Sequence, residues 1–180
     1  MKPYTIDNDG GIYFCTDTII SFAYVFVEVE FFEIIIDSLK YCQNKKGLKL
    51  IAYVIMPNHV HTIVTANDHN LSDIIRDYKQ YISRKITETL RQRGKSQILT
   101  LFKSAAKYAE KGNQYKVWQP GSHPQLMDYD EKLFQKIEYI HNNPVRKGYV
   151  EKPECWVYSS ARNYIIDDDS IIEIQKLEEL

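Results

Sequence analysis

Two runs of β-branched and apolar residues, LKLIAYVIM at 48–56 and HVHTIVT at 59–65, are parted by nothing but Pro57 and Asn58. A chain that reverses over two residues between extended runs makes an antiparallel hairpin. Upstream, GIYFCTDTIISFAYVFV at 11–27 is rich in the same residue types and reads as a further strand with an extended continuation. Between them Phe32, Ile35, Ile36, Leu39 and Cys42 recur at helical spacing, and Gly47 follows Lys45 and Lys46 as a stop signal.

Beyond the hairpin a long helix is expected from Leu71 to about Arg93, with Leu71, Ile74, Ile75, Tyr78, Ile82 and Ile86 on one side and Gly94 at its end. Residues 95–116 carry lysines among small and apolar residues and are compatible with a solvated helix or a loop. The stretch VWQPGSHPQLM at 117–127 returns the chain to the sheet edge. Asp128 or Asp130 then caps a helix from about 131 to 142 that ends before Pro144. The order β, α, β, β, α, loop, β, α predicts an α+β fold, an antiparallel sheet with helices packed on one face. Without a repeat or a linker, residues 1–180 read as a single domain, large enough to bury its own core.

The formal net charge is -1, so any polyanion must be held by a local basic surface. Cys15, Cys42 and Cys155 are odd in number and lack C-x-x-C spacing, which argues against a disulfide framework or a zinc knuckle. No apolar stretch approaches the ~20 residues needed to span a bilayer, and the N-terminus has no basic-then-apolar signal pattern. The expectation is a cytoplasmic protein without a membrane partner.

Side chains alternate along a strand, so His59, His61 and Ile63 share one face of the third strand and Val60, Thr62 and Val64 the other. The two histidine Cα atoms would lie about 6.6 Å apart, close enough for both imidazoles to lean onto one metal at roughly 2.1 Å. His-x-His alone also describes an ordinary half-exposed sheet face. On the late helix Leu133, Ile137 and Ile140 form the apolar stripe. Tyr139 falls well off that stripe, with Asn143 one turn further on, and Lys132 and Lys136 on the same polar side. A tyrosine, an amide oxygen and two cations on one edge can supply a nucleophile, a metal ligand and charge for a phosphate. On the 71–93 helix Arg76, Gln80, Arg84 and Arg91 lie opposite the apolar stripe, where Arg76 and Arg84 can hold DNA phosphates or simply form a solvated face. His69 and His123 read as loop residues, and Trp118 and Trp156 as packing anchors.

The blocks YVIMPNHVHTIV (53–64) and IEYIHNNPVRKGYV (137–150) resemble the two signature blocks of the REP-associated tyrosine transposases, in the His-hydrophobic-His (HUH) endonuclease superfamily. LSDIIRDYKQYISRKI, VWQPGSHP and WVYSSARNY extend the resemblance over roughly residues 11–165. It implies a ferredoxin-like sandwich in which His59, His61 and Asn143 bind a divalent metal, Mg²⁺ or Mn²⁺, while Tyr139 attacks a phosphodiester. The implied partner is single-stranded or hairpin DNA, and the intermediate a 5′-phosphotyrosine. The same resemblance admits a replication initiator or relaxase, or a domesticated hairpin-DNA-binding protein, and leaves open whether the chain acts as a monomer or a homodimer.

Overall fold

In the computed structural model, which describes residues 10–66, 71–107, 114–121, 124–127 and 131–177, strands β2 (Leu48–Met56) and β3 (His59–Ala66) pair antiparallel around Pro57 and Asn58. Strand β1 (Ile12–Thr18) lies along the other side of β3, with Thr16 opposite His61 and Thr18 opposite His59. The short β4 (Gln125–Met127) closes the sheet against β1, giving the strand order β2-β3-β1-β4. Helix α1 (Val29–Lys46) connects β1 to β2, and α2 (Leu71–Gln92) follows β3. This is the β-α-β-β-α-β plan of a ferredoxin-like sandwich.

Local chemistry accounts for the boundaries. Gly47, at φ 71°, takes the left-handed conformation that ends α1 and donates its N–H to the Cys42 carbonyl. Strand β1 is shorter than the apolar run suggests, because the chain leaves the sheet at Ile19 and tightens into a 3₁₀ turn, Ile20–Phe22. The lysine-bearing segment left open by sequence forms helix α3 (Ser96–Lys107), anchored by buried Phe102 and Ala106. Asp128, Asp130, His69 and His123 lie outside the described residues.

The sheet buries both of its faces. Tyr13, Cys15, Val60 and Val64, with Leu48, Leu50, Tyr53 and Ile55 of β2, meet α1 and α2. A bulge between Leu50 and Ala52 shifts the alternation by one residue, and so keeps Leu50 and Tyr53 on the same side. As expected, the two long helices share a face. The late helix, α4 (Glu131–His141), departs from that expectation and lies across the opposite face, where Leu133, Ile137 and Ile140 pack on Ile12, Phe14, Ala52, Val54, Met56 and Ile63. The reason is visible in β2, whose run LKLIAYVIM is almost continuously apolar and needs cover on both sides. After a pause at Asn142, the short α5 (Asn143–Arg146) continues from α4, and α6 (Ala161–Ile165) follows a second 3₁₀ turn at Pro153–Cys155.

Because α4 is held by three buried side chains, its packing is testable. Ile140, fully buried, is expected to cost about 2–5 kcal/mol of unfolding free energy on truncation to alanine. Phe134→Ala, on the solvent side of the same helix, should stay within about 0.5 kcal/mol in urea titrations.

Candidate active site

His59 and His61 lean toward each other from the α4 side of the sheet, ring centroids 4.7 Å apart. Each has a partner at Nδ1: His59 lies 2.6 Å from the Asn58 side-chain oxygen, and His61 lies 2.8 Å from Thr16 Oγ1. An amide oxygen only accepts, so with this assignment His59 Nδ1 carries the proton and Nε2 keeps its lone pair. A proton on His61 Nδ1 leaves the same arrangement there. Burial is the main cause lowering both imidazoles, His59 to about 4 with Lys147 contributing, and His61 to about 3 with His59, Lys136 and Arg146 contributing. Both are neutral at neutral pH, the state a metal requires. Two oriented neutral imidazoles therefore fit a divalent cation.

Tyr139 comes down from α4 onto this pair. Its ring centroid is 5.7 Å from that of His61 and 6.4 Å from that of Phe14, which itself stacks on His61 at 5.3 Å. Two cations flank the phenol ring, Lys136 Nζ at 5.2 Å and the Arg146 guanidinium carbon at 4.2 Å from its centroid. Tyr139 remains 37% exposed, so a substrate can reach it while Leu133, Ile137 and Ile140 hold the helix down. A phenol, a pair of imidazoles and two positive charges thus share one surface.

The structure brings His59, His61, Tyr139 and Lys136 together. Lys132 lies exposed on α4. Asn143 is buried at the start of α5, and among the described hydrogen bonds and ring contacts none joins its amide to either histidine. Arg76 and Arg84 are not at this surface, since α2 packs on the opposite face of the sheet. Arg76 is also tied to Asp73 at 2.6 Å and to Asp77 at 3.0 Å, while Arg84 stacks over Tyr81 beside a cleft between α1 and α2. Sequence reasoning missed Thr16, Asn58 and Arg146. Arg146 was open to detection, since it stands seven residues after Tyr139, two helical turns on, and its guanidinium reaches back 3.2 Å to the Tyr139 carbonyl. Thr16 was not, because only the β1–β3 register sets it opposite His61. His141 faces away from Tyr139, bonding Ser160 Oγ at 2.9 Å.

Comparison with known proteins now bears on this geometry. Residues 25–108 match the family described as Transposase IS200 like. Through that segment, a little under half of the chain, it is similar to the IS200-like transposases. The matched segment carries His59 and His61 and stops short of α4, so it does not speak to Tyr139. Over 112 residues, 61% of the chain, it is 32% identical to a Haemophilus influenzae protein named as a REP-associated tyrosine transposase. The alignment spans 57% of that relative's length. A solved REP-associated tyrosine transposase, bound to a REP hairpin, superposes with a TM-score of 0.59 at 18% identity, covering 97% of this chain and 96% of that one. The fold is therefore shared over nearly the whole chain, α4 included. Among the described residues no helix is long and apolar enough to cross a membrane.

A pH dependence of stability follows from the buried imidazoles. His141 is lowered from 6.5 to about 4 by burial, so between these values the native state binds fewer protons than the unfolded chain. Its contribution is complete above about 6.5, falls as pH drops toward about 4, and changes no further below. In metal-free buffer, urea unfolding should lose up to ~1.4 kcal/mol per pH unit for each such histidine. His141→Gln should make the decline shallower.

Proposed function

We propose that this chain is a divalent-metal-dependent nuclease and transposase of single-stranded DNA in which Tyr139 is the nucleophile. The observation that carries the reading is the placement of the Tyr139 ring 5.7 Å from His61, between Lys136 and Arg146, on the face where His59 and His61 converge. The metal would be held by His59 and His61, with the Asn143 amide oxygen as the expected third ligand. Nitrogen and oxygen donors suit Mg²⁺ or Mn²⁺, and would also accept zinc. When bound, such an ion neutralises the charge that makes a phosphodiester a poor electrophile.

Tyr139 Oη attacks phosphorus, the bond to the 3′ oxygen breaks, and the proton lost by the phenol balances the one gained by the departing 3′-hydroxyl. The product is a 5′-phosphotyrosine, and attack by another 3′-hydroxyl reverses the step and joins strands. No nucleotide cofactor is needed, because the energy of the broken bond is retained in the linkage to Tyr139. The hairpin bound by the structural neighbour supports a folded single strand as the substrate class.

Two rival tyrosines are poorly placed. Tyr78 is buried beneath α2, and its hydroxyl has no hydrogen-bond partner among the described residues, while Tyr81 also lies on the far face of the sheet. Since Tyr139 and His61 meet within one chain, the reaction is assigned to a site complete in one subunit.

Tyr139→Phe is expected to abolish the covalent adduct with a hairpin oligonucleotide in Mg²⁺ and leave DNA affinity nearly unchanged, whereas Tyr78→Phe and Tyr81→Phe stay active. Adduct formation by Tyr139→Phe would mean that the nucleophile is another group. Mixing Tyr139→Phe with His61→Ala should restore no activity, and restoration would reveal a site shared between two chains. Each phosphate contact to a single strand contributes about 0.7 to the slope of log affinity against log salt. Lys136→Ala should therefore flatten that slope by about 0.7, and Arg76→Ala, with its charge already paired, should leave it unchanged.

A further inference from the structure

The hairpin turn that delivers His59 is wrapped by the segment following β1. Ile19 donates its N–H to the Asn58 carbonyl, and Val25 and Phe26 both donate to the Pro57 carbonyl, each at 2.9 Å. Within the wrap, Ser21 and Phe22 both stand at φ 55°, a left-handed backbone that residues with side chains rarely adopt. The strain is pinned by Asn58, whose amide nitrogen donates to the Phe22 carbonyl at 3.3 Å while its oxygen meets His59 Nδ1 at 2.6 Å. One side chain thus links a strained backbone to a metal-competent imidazole. Strain of this kind persists where the surrounding structure over-determines it, and it clusters at functional sites.

What the strained turn displays is an aromatic surface. Phe22 is 63% exposed and Tyr24 is 58% exposed. Tyr24 hydrogen-bonds Tyr149, which is 42% exposed and leans on Trp156 with ring centroids 5.5 Å apart. The Tyr24–Tyr149 bond joins the wrap to the segment directly after α5, which brings Arg146 and Lys147. A hydrophobic core gains nothing from three aromatic rings left in solvent, and Lys147, two residues before Tyr149, is near enough to His59 to lower its imidazole. Exposed aromatics next to positive charge form the surface on which unpaired nucleobases stack.

We propose that Phe22, Tyr24 and Tyr149 form a stacking subsite for the unpaired base adjoining the phosphate held at His59 and His61. The proposal rests on the DNA-cleaving reading above and adds to it a contact outside the residues of the chemistry. The cations of α4 and α5 favour a polyanion over a neutral protein surface, and the wrap is continuous with the site through Asn58. Stacking reads no base edge, so the subsite requires an unpaired base and tolerates any sequence, which selects a single strand at the point of cleavage.

Affinity measured by fluorescence anisotropy, in a Tyr139→Phe background with Mg²⁺, tests this with a series of hairpin oligonucleotides carrying one abasic residue at successive positions of the unpaired tail. Phe22→Ala should weaken binding to intact DNA roughly 5- to 100-fold, and Phe22→Trp should retain it. At one position the abasic residue should cause a similar loss, and Phe22→Ala should add nothing to it. Phe22→Gly relieves the backbone strain, so it should lose affinity without any fall in the thermal midpoint, which separates the subsite from a folding role. If Phe22→Ala and Tyr24→Ala each bind within twofold of the parent, or if their losses are the same at every abasic position, the stacking subsite is overturned and the nuclease reading stands. A parent chain that binds none of these oligonucleotides would overturn the functional reading, and the subsite with it.

Discussion

Side chains of a strand alternate, and on β3 that alternation divides the molecule in two. Val60 and Val64 face α1 and α2 and belong to the larger core, while His59, His61 and Ile63 face the other way. A register slip of one residue would bury both imidazoles among aliphatic side chains and expose valines in their place. The register is fixed from both sides, by β2 through the Pro57–Asn58 turn and by β1 through the Thr16–His61 pairing. The bulge at β2 then lets its apolar residues keep pace with both faces. Everything at the site is placed relative to this one strand.

The second face acquires its helix for a physical reason. With Ile12, Phe14, Val54, Met56 and Ile63 all on that side, the sheet without α4 would present a broad apolar surface to water. Leu133, Ile137 and Ile140 cover it, and in doing so they fix the rotation of α4, which turns Tyr139 toward His61 and Phe14. Core packing and site geometry are therefore a single arrangement. Lys136 and Arg146 arrive with the same helical segment, so a chain with net charge -1 still offers concentrated positive charge where an anion would be held.

Much of this was legible in the residues themselves. The hairpin at 48–65, the long helix ending at Gly94 and the shared face of His59 and His61 all follow from spacing and alternation. The side of the sheet on which the last helix lies did not follow, because a helical wheel gives the direction of an apolar stripe and says nothing of which surface receives it. For the same reason Arg76 and Arg84 looked available for DNA, although the fold sets them across the sheet from Tyr139 and Asp73 and Asp77 occupy Arg76. Thr16 and Asn58 orient the imidazoles through bonds that depend on strand pairing and turn geometry, neither of which leaves a mark in a linear motif. The strained backbone at Ser21 and Phe22 lay inside what reads as an extended run, since no glycine signals the left-handed turn.

The central claim is that the phenol of Tyr139 becomes covalently joined to DNA. The wild-type chain can be incubated with a hairpin oligonucleotide and Mg²⁺, denatured, digested with nuclease and trypsin, and its peptides weighed. The account predicts that the peptide 137–146 (IEYIHNNPVR), whose one tyrosine is Tyr139, carries the mass of a 5′-phosphonucleotide. A modified peptide from elsewhere in the chain, or cleaved DNA with no modified peptide at all, would contradict it.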